Sequence, residues 1–305
     1  MKLTMRILAL ACTVLFALAG CQKGPVAAGS KKQIVATYSV LGSVVSELAG
    51  DAFTVVTAIP NGMDPHEWEP SAKEVESYMK ADLIVENGLG LEGGMERTLD
   101  QARKSGVKFF TCSDHITIRT VKPGQGLPTD DPDQAAGAQD PHLWMDPVAM
   151  KSVVNDLAPI LKQSFGVDVS ARANKLAAEL DALDADIKAE VATLPAEKRR
   201  LVTGHESMGY FAERYGFILV GAIIPSLSTQ AEVTAGEMSK LKKQIQANKV
   251  PAIFVELGTP AAVTEALARE AKVKAVPITT HSMPADGSYF TFMRNLARTV
   301  VESLR

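Results

Sequence analysis

Cysteine is scarce, with three in 305 residues. Cys12 lies in an apolar leader and Cys21 directly follows it, so Cys112 has no partner for an internal disulfide, and burial must hold the fold together. Charge of one sign is missing as well. Thirty-two Lys and Arg stand against thirty-five Asp and Glu, a formal net charge of −3, and no basic stripe offers a track for a nucleic-acid backbone. Aromatic residues make up only 6%, with two tryptophans. After residue 20 no stretch is apolar for the ~20 residues that crossing a bilayer requires. The remainder is composed to fold in water.

The leader MKLTMRILALACTVLFALAG places Lys2 and Arg6 ahead of an apolar run and ends in small residues. These are the marks of a secretory signal, residues 1–20. Leu18-Ala19-Gly20-Cys21 resembles the bacterial lipobox, in which the cysteine becomes the lipid-modified first residue. The expectation is an extracytoplasmic protein anchored through Cys21 to a bacterial membrane, on its periplasmic side or at the cell surface. Residues 21–32, rich in Gly, Ala, Pro and Lys, read as a flexible tether. About 280 residues remain, more than one compact core usually serves, so two lobes are expected.

From Lys32 onward short β-branched runs alternate with helical patterns. QIVATY (33–38), FTVVTAI (53–59), DLIVENG (82–88) and VKFFTC (107–112) are candidate strands, with helices such as 42–50 and 71–79 between them. Such alternation predicts a parallel sheet covered on both faces. Residues 119–141, rich in Gly, Pro and Asp, read as an exposed loop in which Asp130, Asp131, Asp133 and Asp140 are solvated. A helix follows from Asp146-Pro147 to about Ser164. Beyond it Leu176, Leu180, Leu183, Ile187, Val191 and Leu194 recur at helical spacing, which predicts a long helix with one core-facing stripe. A second alternating set begins at RLVTG (200–204), continues through FILVGAII (217–224), AIFVE (252–256) and VKAVPI (273–278), and closes with a helix over 289–305. The organisation expected is an α/β lobe over 33–165, a linking helix over 166–195 and a second α/β lobe over 196–305.

Histidine is rare, yet its placement is patterned. DPHEW at 64–68 and DPHLW at 140–144 use both tryptophans and two of five histidines. His66, His142, His205 and His281 each fall just past a candidate strand or in a connecting loop. Ligands of parallel α/β sheets bind at the carboxyl ends of strands, and neutral imidazole is a common ligand for zinc and its neighbours. In each DPH segment proline restrains the backbone before histidine, and the tryptophan is placed to wall the ring from water. These four are the candidate metal ligands; His115 lacks such repetition and reads as an ordinary histidine. Asp286 competes for a fourth position, Glu256 lines the cleft, and Glu67 and Glu206 either face away or support the ligands from behind.

These residues resemble the zinc/manganese substrate-binding lipoproteins of bacterial ABC transporters over nearly the whole mature chain. The likeness rests on DPHEWEPSAKEVESYMKADLIVENGLGLE, DPHLWMDP, TGHESMGYFAERYGF, STQAEVTAGEMSKLKKQIQANKVPAIFVE and YFTFMRNLART, in that order. It implies two lobes, each with a four-stranded parallel sheet flanked by helices, joined by one rigid helix. It also implies a monomeric receptor that holds one divalent metal in the cleft and delivers it to a membrane permease, without catalysis. Its first three ligands match His66, His142 and His205. The fourth is commonly aspartate, a position held here by His281, or by Asp286 if the loop is shifted. Four imidazoles favour Zn2+, with Mn2+ or Fe2+ as the alternative, particularly if Asp286 coordinates. The histidine-rich loop frequent in zinc receptors is absent from 119–141. A zinc-dependent hydrolase is the alternative of another class, but no HExxH motif occurs and four protein ligands leave no position for water.

Overall fold

Each candidate strand run is short and β-branched, the composition that suits a strand buried on both faces. A computed structural model describes residues 31–122 and 132–305. The leader, Cys21, most of the tether, Asp130 and Asp131 lie outside the described residues. Strands β1 (Lys32–Ala36), β2 (Phe53–Thr57), β3 (Leu83–Glu86) and β4 (Lys108–Thr111) form a parallel sheet of order β2-β1-β3-β4. Helices α1 (Ser39–Ala49), α2 (Ala72–Tyr78) and α3 (Glu96–Lys104) connect them.

The second half repeats this plan. Strand β5 (Arg200–Thr203) pairs in parallel with β6 (Ile218–Ala222), and β7 (Ala252–Val255) with β8 (Lys274–Pro277). The second set is thus two hydrogen-bonded pairs, with β5 beside β7. At that seam a side chain makes the link, because Glu256 accepts the His205 N–H at 3.0 Å. In both halves the winding reverses between the first and third strands, which opens a crevice at their carboxyl ends.

Helix α4 (Pro147–Phe165) starts where Asp146 accepts the Val148 N–H, and it stops at Gly166, whose φ of 70° suits a residue without Cβ. Helix α5 (Ser170–Ala192) buries Leu176, Leu180, Leu183, Ile187 and Val191, the stripe that the spacing predicts. It packs against α4 and against α9 (Tyr289–Leu304). One apolar core runs from the first sheet through α4 and α5 to α9 and α6 (Gly209–Tyr215). A smaller cluster, including Val202, Ile223, Leu241, Ile245 and Ile253, fills the space between strands β5–β7 and helices α7 (Ala235–Ala247) and α8 (Ala261–Ala271). Helix α5 thus spans the two halves while packing inside the larger core.

The 119–141 segment differs from expectation at its ends. Val121 N–H donates to Ala138, Gly137 N–H to Val121 and Asp140 N–H to Arg119, so the flanks pair as an antiparallel ribbon. That pairing sets Arg119 against Asp140, whose carboxylate is wholly buried rather than solvated.

Candidate metal centre

The two DPH segments make the same local turn. Asp64 Oδ1 accepts the His66 N–H at 3.0 Å, and Asp140 Oδ1 accepts the His142 N–H at 2.9 Å. Aspartate commonly closes such a turn onto the residue two places on, and proline fixes the backbone between them. Both histidines are thereby presented by a rigid bend. His205 follows β5 and is held through its backbone by Glu256; the turn 205–208 precedes α6, which begins at Gly209. His281 lies between β8 and α9.

All four imidazoles are buried, and one nitrogen of each lies within 4.8 Å of the others. Nε2 of His142 and Nε2 of His205 are 3.1 Å apart. For four nitrogens at zinc distance, about 2.0–2.1 Å from one centre, tetrahedral geometry separates neighbours by roughly 3.3–3.4 Å. Nε2 of His66 and Nε2 of His281 have no hydrogen-bond partner although both are buried. Buried polar atoms left unpaired are costly, so two unpaired nitrogens beside two that face each other fit a cation at their common centre.

Behind the rings stand groups that fix their orientation. Asp140 Oδ1 lies 2.8 Å from His142 Nδ1. Thr280 Oγ1 lies 3.0 Å from His281 Nδ1 and donates to Glu256 Oε2. Glu256 Oε1 lies 3.3 Å from His205 Nδ1, and Ser207 Oγ donates to Oε2 at 2.7 Å. With Nδ1 of His142 and of His281 protonated against Asp140 and Thr280, their Nε2 atoms are left as inward-facing lone pairs, while His205 Nδ1 lies beside Glu256 without a hydrogen bond. The tautomers follow from this network.

Charge follows the same plan. Burial, with His142 and His205 nearby, holds His66 well below the usual imidazole range, and burial with His205 and His66 does the same for His281. His142 is also lowered by burial, against the pull of Asp140. His205 is raised, because Glu256, with Asp64 and Asp140, outweighs its burial. Burial disfavours the Glu256 charge, yet the neighbouring His205 and its hydrogen bonds bring the carboxyl down to about 2. Glu206 is pushed up to about 7 by burial, and its Oε1 lies 3.7 Å from Arg119.

The other sequence candidates separate cleanly. Asp286 is exposed and spends its oxygens on the Ser288 N–H at 3.0 Å and the Thr291 hydroxyl at 2.6 Å, at the start of α9. It is not brought to the cluster. Glu67 is exposed, and His115 stacks on Phe110 while Nδ1 meets Asp156 at 3.0 Å. Trp144 is fully buried, with ring centroids 5.3 Å from His142 and 5.5 Å from His281, and its Nε1–H donates to Thr280 O at 2.7 Å. Trp68 is half-buried and packs on the apolar core instead. Sequence reasoning missed Arg119, Thr280 and the burial of Asp140. Only Asp140 carried a signal, since it opens the DPH turn.

Known proteins resemble this chain in sequence and fold. The chain is 28% identical to the manganese ABC transporter substrate-binding lipoprotein PsaA of Streptococcus pneumoniae over 323 residues, covering 100% of this chain and 99% of PsaA. The fold matches the periplasmic zinc binding protein TroA from Treponema pallidum with TM-score 0.74 and 28% identity, over 90% of this chain and 99% of TroA. The substrate-binding protein FpvC from Pseudomonas aeruginosa, solved in complex with Mn2+, matches with TM-score 0.75 and 25% identity, over 90% of this chain and 98% of FpvC. The family model described as zinc-uptake complex component A, periplasmic, matches residues 34–303. With eight strands in place, four imidazoles converging and that match spanning nearly all described residues, the chain belongs to this family of periplasmic metal-binding proteins.

Proposed function

We propose that this protein is the extracytoplasmic receptor of an ABC importer, that it binds one divalent transition metal through His66, His142, His205 and His281, and that Zn2+ is its favoured cargo. The observation that carries the reading is the convergence of four buried imidazole nitrogens within 4.8 Å. Nitrogen-only ligation suits zinc, whereas manganese prefers oxygen donors. Asp140 and Glu256 supply negative charge behind the neutral rings, so the dication is compensated without a carboxylate in direct contact. Mn2+ or Fe2+ is the second reading, favoured by the manganese named for PsaA and FpvC. A lipid at Cys21 would keep the receptor beside its permease, and among the described residues no helix is long and apolar enough to cross a membrane.

Hydrolysis has less support. Glu256 already accepts hydrogen bonds from His205, Ser207 and Thr280, so it does not stand ready as a general base. Elemental analysis of natively purified protein, combined with metal titration of His281→Ala and Asp286→Ala, tests the assignment. The expected result is bound zinc, a large loss of affinity in the first variant and wild-type affinity in the second. Manganese in the native protein or the reverse pattern among variants would overturn it.

A further inference from the structure

His281 is held unlike the other three imidazoles. His66 and His142 sit in turns closed by their own aspartates, and His205 is pinned to buried Glu256. The segment 278–288 that carries His281 contains no helix or strand, and much of its backbone is held by side chains of the first half. Asn61 Oδ1 accepts the Met283 N–H at 2.7 Å, and Asn61 Nδ2–H donates to Met283 O at 3.1 Å. Ser39 donates to His281 O at 3.2 Å; Ser43 donates to Gly287 O at 2.7 Å and accepts the Tyr289 N–H at 3.2 Å.

The Asn61 amide thus presents a donor and an acceptor to one residue, as a neighbouring strand would. It stands just ahead of the His66 turn, so it ties two histidine-bearing loops together. The Asn61 bonds lie at the exposed rim, where water can replace them, whereas Thr280 at the inner end of the segment is buried against Trp144 and Glu256. A groove of about 460 Å³ beside the loop, lined by Ser43, Thr57, Asn61, Met283 and Gly287 among others, leaves room for it to shift.

We propose that Asn61 is a positioning residue that latches the His281 loop and sets how fast the fourth imidazole leaves the metal. This rests on the reading of His281 as a ligand. The latch governs the rate of release without belonging to the ligand set.

The test uses wild-type protein, Asn61→Ala and Asn61→Leu, the last keeping comparable volume without donor or acceptor. Each is loaded with Co2+, and loss to excess EDTA is followed by stopped flow, alongside the visible spectrum of the bound ion. Both variants are expected to release Co2+ roughly tenfold faster, as the loss of two hydrogen bonds implies, with the bound spectrum unchanged. Faster exchange of the Met283 amide in both variants is the accompanying expectation. Release within twofold of wild type, or a changed Co2+ spectrum, would sink the latch while leaving the receptor reading intact. Wild-type protein that takes up neither Co2+ nor Zn2+ would sink both.

Discussion

On the proposed ligand set, four metal-bound imidazoles would bring no charge to a dication, so the carboxylates behind them would carry an unusual share of the affinity. Asp140 is the sharpest case, because one oxygen takes both the backbone N–H and Nδ1 of His142 while the other meets Arg119 at 2.9 Å. Asp140→Asn should weaken zinc binding about 10–100-fold, the usual cost of losing such an outer contact, in competition with a chromophoric chelator. Unchanged affinity would show that Asp140 serves only the fold. Protons sharpen the picture. Burial lowers His66, His142 and His281, whereas Glu256 raises His205, so His205 is the ring at which protons compete most strongly with metal. Calorimetry in buffers of different ionisation enthalpy should detect proton release on metal binding that grows as pH falls. Affinity should fall as pH drops through the imidazole range, and a flat profile from pH 7 to 5 would speak against histidine ligation. The four ring positions were legible in the sequence because each falls just past a strand run or in a connecting loop and two share a repeated turn. The Thr280–Glu256–His205 connection was not, since no local pattern says that β5 and β7 are neighbours.

Elements were more legible than their partnerships. All eight strands form where β-branched runs stood, and the α5 stripe is buried where the spacing set it. Helix α3, ERTLDQARK, drew no notice because its face is narrow; Thr98, Leu99 and Ala102 are its buried residues. The paired ends of 119–141 were hidden for another reason. Gly, Pro and Asp suit both a solvated loop and a hairpin, and only the partner flank decides between them. Because α5 packs inside the larger core, trimming it should weaken the whole fold. Leu180 is fully buried, and Leu180→Ala should cost about 2–5 kcal/mol. Urea unfolding checks this, and a single transition at lower midpoint is expected. A second transition with the first unchanged would mean that the halves unfold separately.

At the scale of the molecule, continuity of the core restrains what metal can do. The apolar cluster includes residues of α1, α4, α5, α6 and α9, so swinging one half away from the other would open buried surface. Scattering curves of apo and zinc-loaded protein should nearly superimpose, with change confined to loops; a large compaction on loading would contradict this. The site has a further consequence through its dispersal along the chain. Its nitrogens come from turns at residues 66, 142, 205 and 281, so no fragment or half-made chain owns a complete site. With the four rings as the proposed ligands, cargo would bind only the finished protein, and whatever binds only the finished protein stabilises it, by about 2.7 kcal/mol at a hundredfold excess over Kd. Metal supply would then set the lifetime of the receptor as well as its load, with empty copies the first to be unfolded and degraded when metal is scarce.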